Sequence, residues 1–411
     1  MELISMDPLD IMMRLDQIVP YFDPIVSAEN QLIIGHEVKP FFQDDAGELH
    51  SLSWFFNDEN IPSDFRLELI HTILYKVLDS YMKTDQSQLL FIHYDAKLLL
   101  KDDGDSMLSL LKTYADQGLR LEKLVLQFSE AYVSEHLSSF KHLFAYIQTF
   151  GIQIALDDVG QRNGNLDKLA LIKPNIIKVD VSFLQNNDLP QLYQDVHHLL
   201  SMLSRKIGAT LLFKGITSFH QLNYAWRNGG RYYQGSYLEE THEHFIAADS
   251  CKDKVKKDFQ YFTTFERKKM KAQLDLTEKI NQQLNTTLKN INPDDPYDKT
   301  ILTVAKDCDS FCFRVYICNE AGFQLSANAE KDEKGNWNLD HEGKQKNWSW
   351  RPYFFENVVR MNVEKKGILS DLYTDIEKDE RIRTYSHPIS DNTFIFIDIP
   401  YSFLYEQEGL L

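Results

Sequence analysis

Positive charge is scarce in this sequence. Over 411 residues, 44 Lys and Arg stand against 61 Asp and Glu, a formal net charge of −17. So acidic a surface repels nucleic acid and anionic lipid, and neither is expected as a partner. Long apolar runs are also missing. No stretch reaches the ~18 residues a membrane span needs, and Met1–Asp7 lacks the basic and apolar regions of a secretion signal. A cytoplasmic chain with no membrane span is the expectation. Cysteine is rare: Cys251, Cys308, Cys312 and Cys318 form no CxxC pair, and no histidine follows them at ligand spacing. That argues against structural zinc and for small buried thiols in a reducing compartment. Neither GxGxxG nor a Walker A loop opens a helix, which argues against a doubly wound nucleotide-binding sheet.

What is present is a repeated alternation of apolar strand-like runs and amphipathic helical stretches up to about residue 246. Strands are predicted at 31–38, 88–94, 123–128, 153–158, 175–180, 210–214 and 231–234. Helical stretches lie between them at 106–117, 133–149 and 191–205. This alternation over such a length predicts a (β/α) barrel, with an open parallel sheet as the alternative. Ile154-Ala155-Leu156-Asp157-Asp158-Val159-Gly160 is the clearest instance: a buried-type strand ends in two carboxylates and a glycine. On an α/β barrel the C-terminal strand ends are where metal and phosphate sites form. Taken singly, such residues have ordinary explanations. Asp157-Asp158 could be a turn or a helix cap, Glu37 or Lys178 a surface charge, and His93 a hydrogen-bonded core histidine.

Residues 252–291 hold no Gly or Pro, and their apolar residues recur at spacings of three and four, from Val255 and Phe259 to Leu284, Leu288 and Ile291. A single long helix is predicted, ended by Asn292-Pro293-Asp294-Asp295-Pro296. Beyond it a separate α+β domain is expected, with strands at 311–318 and 394–399 and turns at 320–322 and 390–392. Between those strands, Asn347-Trp348-Ser349-Trp350-Arg351-Pro352-Tyr353-Phe354 sets several aromatics beside one arginine. Two readings stay open: a small-molecule pocket lined by Trp348, Trp350, Arg351 and Tyr353, or a core helix with aromatic anchors. The domain boundaries expected are 1–250, 251–291 and 292–411.

The barrel pattern resembles the EAL domain, the family that hydrolyses cyclic di-GMP, here followed by a PAS-like C-terminal domain. The resemblance covers the whole chain and is carried also by Met6-Asp7-Pro8-Leu9-Asp10-Ile11, 225–232, 347–353 and 404–407. It implies a modified (β/α)8 barrel and metal-assisted hydrolysis, in which two Mg²⁺-type ions polarise a phosphodiester and lower the pKa of an attacking water. The Glu of the family's tripeptide falls on Glu37, its paired acids on Asp157 and Asp158, its lysine on Lys178 and its late glutamine on Gln234. Other positions differ. The family's Asn ligand is His93, its next-strand Glu is Gln127, its late-strand Glu is Lys214, the tripeptide's Leu is Lys39 and the following Arg is Phe41. The loop 160–165 also departs from the family's wording.

With Glu37, Asp157 and Asp158 facing Lys178 and Lys214, two divalent ions would be poorly compensated. A salt bridge from Lys214 to Asp157 or Asp158 is expected in place of a metal, and no cofactor is expected unless the remaining acids still hold Mg²⁺, Mn²⁺ or Ca²⁺. Imidazole is a poor ligand for such hard cations, although His93 could take zinc or nickel. The resemblance therefore implies an EAL barrel inactive as an enzyme. It would hold cyclic di-GMP among Glu37, His93, Gln127, Asp157, Asp158, Lys178, Lys214 and Gln234, or bind a protein partner, as part of a homodimer. Two alternatives stay open: a weakly active metal-dependent phosphodiesterase, and a scaffold whose C-terminal domain does the sensing.

Overall fold

The structure, a computed structural model, describes residues 6–58, 60–160, 166–185, 191–351, 354–375 and 378–406. The chain divides into two compact units, Met1–Gln260 and Tyr261–Leu411. Nine strands build the first: β1 Ile18–Ser27, β2 Ile33–Gln43, β3 Leu49–Ser51, β4 Leu89–His93, β5 Leu124–Ser129, β6 Gln153–Asp157, β7 Ile176–Asp180, β8 Thr210–Lys214 and β9 Tyr232–Gln234. Their order is β1-β9-β8-β7-β6-β5-β4-β2, and the pairing of β1 with β2 closes eight of them into a barrel, with β3 appended to β2. The open-sheet alternative is excluded by that closure. Apart from β3 the strands run parallel, save β1, which is antiparallel to both neighbours.

Of the eight strands of the closed barrel, β1 is the one not anticipated from the sequence; it carries Pro20 and Pro24, which lower strand propensity. Its pairing explains how they are tolerated. The amide of Phe22 donates to His242 O at 2.7 Å, away from β2. Pro20 and Pro24 share the parity of Phe22, so their missing N–H groups fall on the edge that the β2 ladder does not use. The connection 28–32 takes the first two residues of the strand expected at 31–38, and β2 runs on past the tripeptide to Gln43. The predicted helix 133–149 is broken at His136 into Glu130–Glu135 and Leu137–Gln148.

Inside the barrel, two layers follow from the period-two alternation of strands. One is apolar, a buried cluster of Ile25, Phe91, Val125, Ala155, Ile176 and Leu212 with Tyr232 packed against it. The other lies two residues nearer the C-terminal ends of the parallel strands: His93, Gln127, Asp157, Lys178, Lys214 and Gln234, with Asp23 two residues before Ile25 on the reversed strand β1. Glu37 holds the same place on β2, two residues after Gly35. A β-carbon at Gly35 would stand 2.6 Å from Leu89 O, so glycine lets β2 and β4 approach.

The second unit is an antiparallel sheet of β10 Arg314–Asn319, β11 Asn328–Lys331, β12 Trp337–Asp340, β13 Ile368–Leu369, β14 Tyr373–Asp375, β15 Glu380–Ser390 and β16 Thr393–Pro400, ordered β12-β11-β10-β16-β15-β13 with β14 on β15. The expected α+β character is present. Alternation splits its strands cleanly: Val315, Ile317, Tyr385, Ile395, Ile397 and Ile399 enter one core, and Tyr316, Cys318, Phe394 and Phe396 the other. The long helix runs Lys252–Lys289, and Leu276, Ile280 and Leu284 belong to the first of those cores. Of the two readings left open for this segment, a core helix is not what residues 347–351 form. Asn347 bridges to Phe323, residues 349–351 turn and bend, and a helix runs Phe354–Glu364. Tyr353 lies outside the described residues, as do 161–165 of the loop singled out above and Gln407. The four cysteines are free and buried. Among the described residues no helix is long and apolar enough to cross a membrane.

Candidate functional site

Glu37 is the hub of the polar layer. Only 5% exposed, its carboxylate accepts from Lys178 Nζ at 3.0 Å, Lys39 Nζ at 3.0 Å, Gln127 Nε2 at 3.1 Å and Gln234 Nε2. Lys178 Nζ also donates to Gln127 Oε1 and lies 3.7 Å from Asp157 Oδ2. Burial works to raise the Glu37 pKa, but the Lys178 and Lys39 ammoniums outweigh it and hold the carboxyl well below its ordinary value. The Lys39 pKa is raised in turn: burial pulls it down, and Glu37 and Asp23 more than reverse that.

The second feature is a cation clamped by the paired acids. Lys214 Nζ sits 2.7 Å from Asp157 Oδ1 and 2.7 Å from Asp158 Oδ1. Both carboxylates reach it because Asp158 adopts φ +58°, a left-handed turn that Asp tolerates better than most residues, with its amide on Asp157 Oδ1 at 2.8 Å. Burial opposes the charge on Lys214, yet the two carboxylates raise its pKa, while Lys178 and Lys214 overcome burial to lower that of Asp157.

Asp23 joins from the missed strand. It accepts from Gln234 Nε2 at 2.9 Å. Burial, then the neighbouring Glu37 charge, push its pKa up to about 6. No motif signals it, because its place depends on β1 running backwards into the barrel. The site thus holds four carboxylates (Asp23, Glu37, Asp157, Asp158) and three ammoniums (Lys39, Lys178, Lys214).

A cavity of about 260 Å³ opens above this floor, lined by Glu37, Lys39, His93, Asp157, Asp158 and Lys214 among others. His93 stands exposed at this cavity, at the C-terminal end of β4. A second cavity of about 590 Å³ shares Phe56, His93, Ser129 and Asp158 with the first, so the two form one cleft. Its far end carries Arg66, Lys97, Tyr94 and Tyr132, none of them anticipated. Arg66 Nη1 pairs with Asp95 Oδ2 at 3.0 Å, both buried, and Lys97 Nζ stands 5.5 Å from the Tyr132 ring centroid. The usable signal was Asp95, an N-cap two residues after a strand end. Gln127, Lys178 and Gln234 differ from the expected ligand contacts. At 0%, 0% and 2% exposure they lie beneath the cleft and hold Glu37 in place.

A two-cation centre needs several free oxygen ligands. Here the Glu37 oxygens are taken by two ammoniums and two amides, and an ammonium occupies the gap between Asp157 and Asp158. Among the described residues no three His, Cys, Asp or Glu are placed to hold a metal ion. The residues in this arrangement therefore do not fit the paired ions of the implied hydrolysis.

A barrel closed by one antiparallel strand, with acids and a lysine on its strand ends, is matched by the EAL domain model over residues 7–241. The chain belongs to the EAL family. Residues 245–411 match a second family, described as an EAL-domain associated signalling protein domain. The EAL-domain containing protein YkuI of Bacillus subtilis strain 168, itself described as uncharacterised, is 41% identical over 411 residues, covering 99% of this chain and 100% of YkuI. The crystal structure of YkuI, in complex with substrate c-di-GMP and calcium, superposes with a TM-score of 0.93 at 40% identity, over 99% of this chain and 100% of that one. An EAL domain protein from Listeria monocytogenes shares the fold at a TM-score of 0.50 and 18% identity, over 64% of this chain and 99% of that one.

Proposed function

We propose that this EAL protein is a receptor that holds cyclic di-GMP at the barrel mouth without cutting it. The observation that carries this is Lys214, bridging Asp157 and Asp158 at 2.7 Å each. A divalent ion there would face an ammonium about 4 Å away, at a cost of roughly 4 kcal/mol per unit charge at an effective dielectric near 20. The same charge suits an anion. Lys39 and Lys214 reach the cleft, and a phosphodiester would gain charge-assisted hydrogen bonds from them in place of the ions. Lys97, at the cleft's far end, adds a further cation along the path of an anionic dinucleotide. YkuI binds c-di-GMP in its crystal structure, and its 41% identity supports the same ligand here.

The calcium bound with substrate c-di-GMP in that YkuI complex favours a second reading, a weakly active metal-dependent phosphodiesterase. A homodimer, a protein partner and a PAS-like sensory role for the C-terminal unit belong to our proposal too. Calorimetric titration with cyclic di-GMP, in chelator and then with Mg²⁺ or Mn²⁺, tests the receptor. Binding that survives chelator, with no linear dinucleotide on chromatography, is expected. Turnover that Asp157→Ala abolishes would establish the second reading. Silence in both assays would leave the barrel a scaffold.

A further inference from the structure

The helix Phe354–Glu364 of the C-terminal unit carries two apolar stripes, and the fold uses one of them. Phe354, Val358 and Met361, spaced by four and three, share a face and are buried in the core that holds Tyr316 and Phe396. Phe355, Val359 and Val363 recur every fourth residue on an outward face and stand 55%, 62% and 78% exposed. Single apolar residues on a surface are ordinary, whereas three in line along one helix face form the kind of patch that marks a contact. Beside the stripe, on the flank of Arg360 and Glu364, the same unit has a groove of about 630 Å³ that also takes in Met270, Leu274, Ile368 and Leu369. Met270 and Leu274 are themselves largely exposed.

Charge decides what can cover this patch. The chain is −17 overall, so two copies repel at long range and meet most favourably where the local balance is near zero. Along the helix and just past its end, Glu356 and Glu364 are offset by Arg360, Lys365 and Lys366. Glu356 and Arg360 each follow a stripe residue by one position, so they line the same flank. The Arg360 Nε donates to Glu364 Oε1 at 2.8 Å, and a guanidinium with five N–H donors can take a second carboxylate. A partner helix lying parallel would set Glu356 beside Glu356 and Arg360 beside Arg360. One lying antiparallel, with a two-fold axis at the level of Val358, sets Glu356 level with the partner's Arg360 and Arg360 level with the partner's Glu356. That register also interleaves the stripes. Val359 falls between the partner's Phe355 and the partner's Val359, in steps of about 3 Å along the helix.

We propose that a second copy of this chain docks on the outer face of the helix Phe354–Glu364, helix against helix and antiparallel about a two-fold axis. This face gives the homodimer of our functional proposal its contact, and rests on that part of the proposal alone. The three side chains of the stripe form the dry centre, and the Glu356–Arg360 pairs, made twice by symmetry, form the rim. The groove beside Arg360 widens the face toward the roughly 800 Å² per partner that a standard interface buries. The self-matching order of charge is what singles out a second copy over an unlike protein.

Sedimentation velocity over a dilution series of the full chain tests this, with circular dichroism to check folding. The parent should dimerise. Val359→Asp, which puts two carboxylates at the centre of the contact, should raise the dissociation constant at least about tenfold. Glu356→Arg and Arg360→Glu should each weaken association about three- to tenfold, and the double variant should restore it, because the pairs re-form with their signs exchanged. Both charged positions are exposed, so these variants carry the test if Val359→Asp fails to fold. A parent that stays monomeric overturns the homodimer and this face with it, leaving the stripe to an unlike protein. A dimer that Val359→Asp leaves intact, or one whose charge variants show neither loss nor rescue, overturns this face alone.

Discussion

Lys178 has no exposed surface, and its Nζ is held against Glu37, Gln127 and Asp157. Removing one partner of such a pair strands the other. Lys178→Met should therefore cost about 3–5 kcal/mol of stability in urea unfolding. A double-mutant cycle with Glu37→Gln should recover part of it, because the second change removes the stranded charge. Lys214 makes the opposite kind of prediction. Its ammonium neutralises Asp157 and Asp158 where a metal would, so Lys214→Glu should turn the cluster into a carboxylate-rich site. Mn²⁺ affinity by calorimetry should rise at least about tenfold. An unchanged Mn²⁺ isotherm would show that the ammonium is not what opposes the ion.

At the scale of elements, β2 carries function on one face and packing on the other. Glu37 points into the barrel, so its neighbour His36 points out, where it is wholly buried against Phe22 and Phe245. Among the described residues neither ring nitrogen has a partner. Burial, aided by His242, presses the His36 pKa down to about 4. The folded form thus resists a proton that the unfolded chain accepts near 6.5. Stability is fully present above that value and declines as pH falls from about 6.5 to 4. His36→Leu should flatten that part of the pH–stability curve and add on the order of 1 kcal/mol near neutrality. Thermal melts at pH 4.5 and 7.5 would read both effects, and an unchanged slope would locate the acid sensitivity elsewhere. β1 is the element least visible beforehand, because prolines lower strand propensity everywhere except on an unladdered edge.

For the whole molecule, the question is where the C-terminal unit begins. Composition put a boundary at 292, where the proline-rich stop begins. The long helix, however, buries Leu276, Ile280 and Leu284 in the same core as Ile301, Val304, Ile395 and Ile397. Losing even one such leucine from a core costs about 2–5 kcal/mol. A fragment 261–411 should melt cooperatively by circular dichroism, and a fragment 292–411 should not. Cooperative melting of the shorter piece would show that the helix is dispensable to that core.

The sequence by itself determined the barrel's alternation, six of its strand ends and the charges placed there, because each depends on local periodicity and on residue type. It also carried the exchange of acid for ammonium at Lys214, and from that the bridge to the Asp pair. The antiparallel strand β1 with Asp23, the burial of Lys178 and Gln234 under the cleft, and the Arg66–Lys97–Tyr132 end were decided only by the tertiary structure. Those features join residues far apart in the chain. Closure of a sheet and the packing of a helix on its face set them, and neither leaves a periodic mark in the residues concerned.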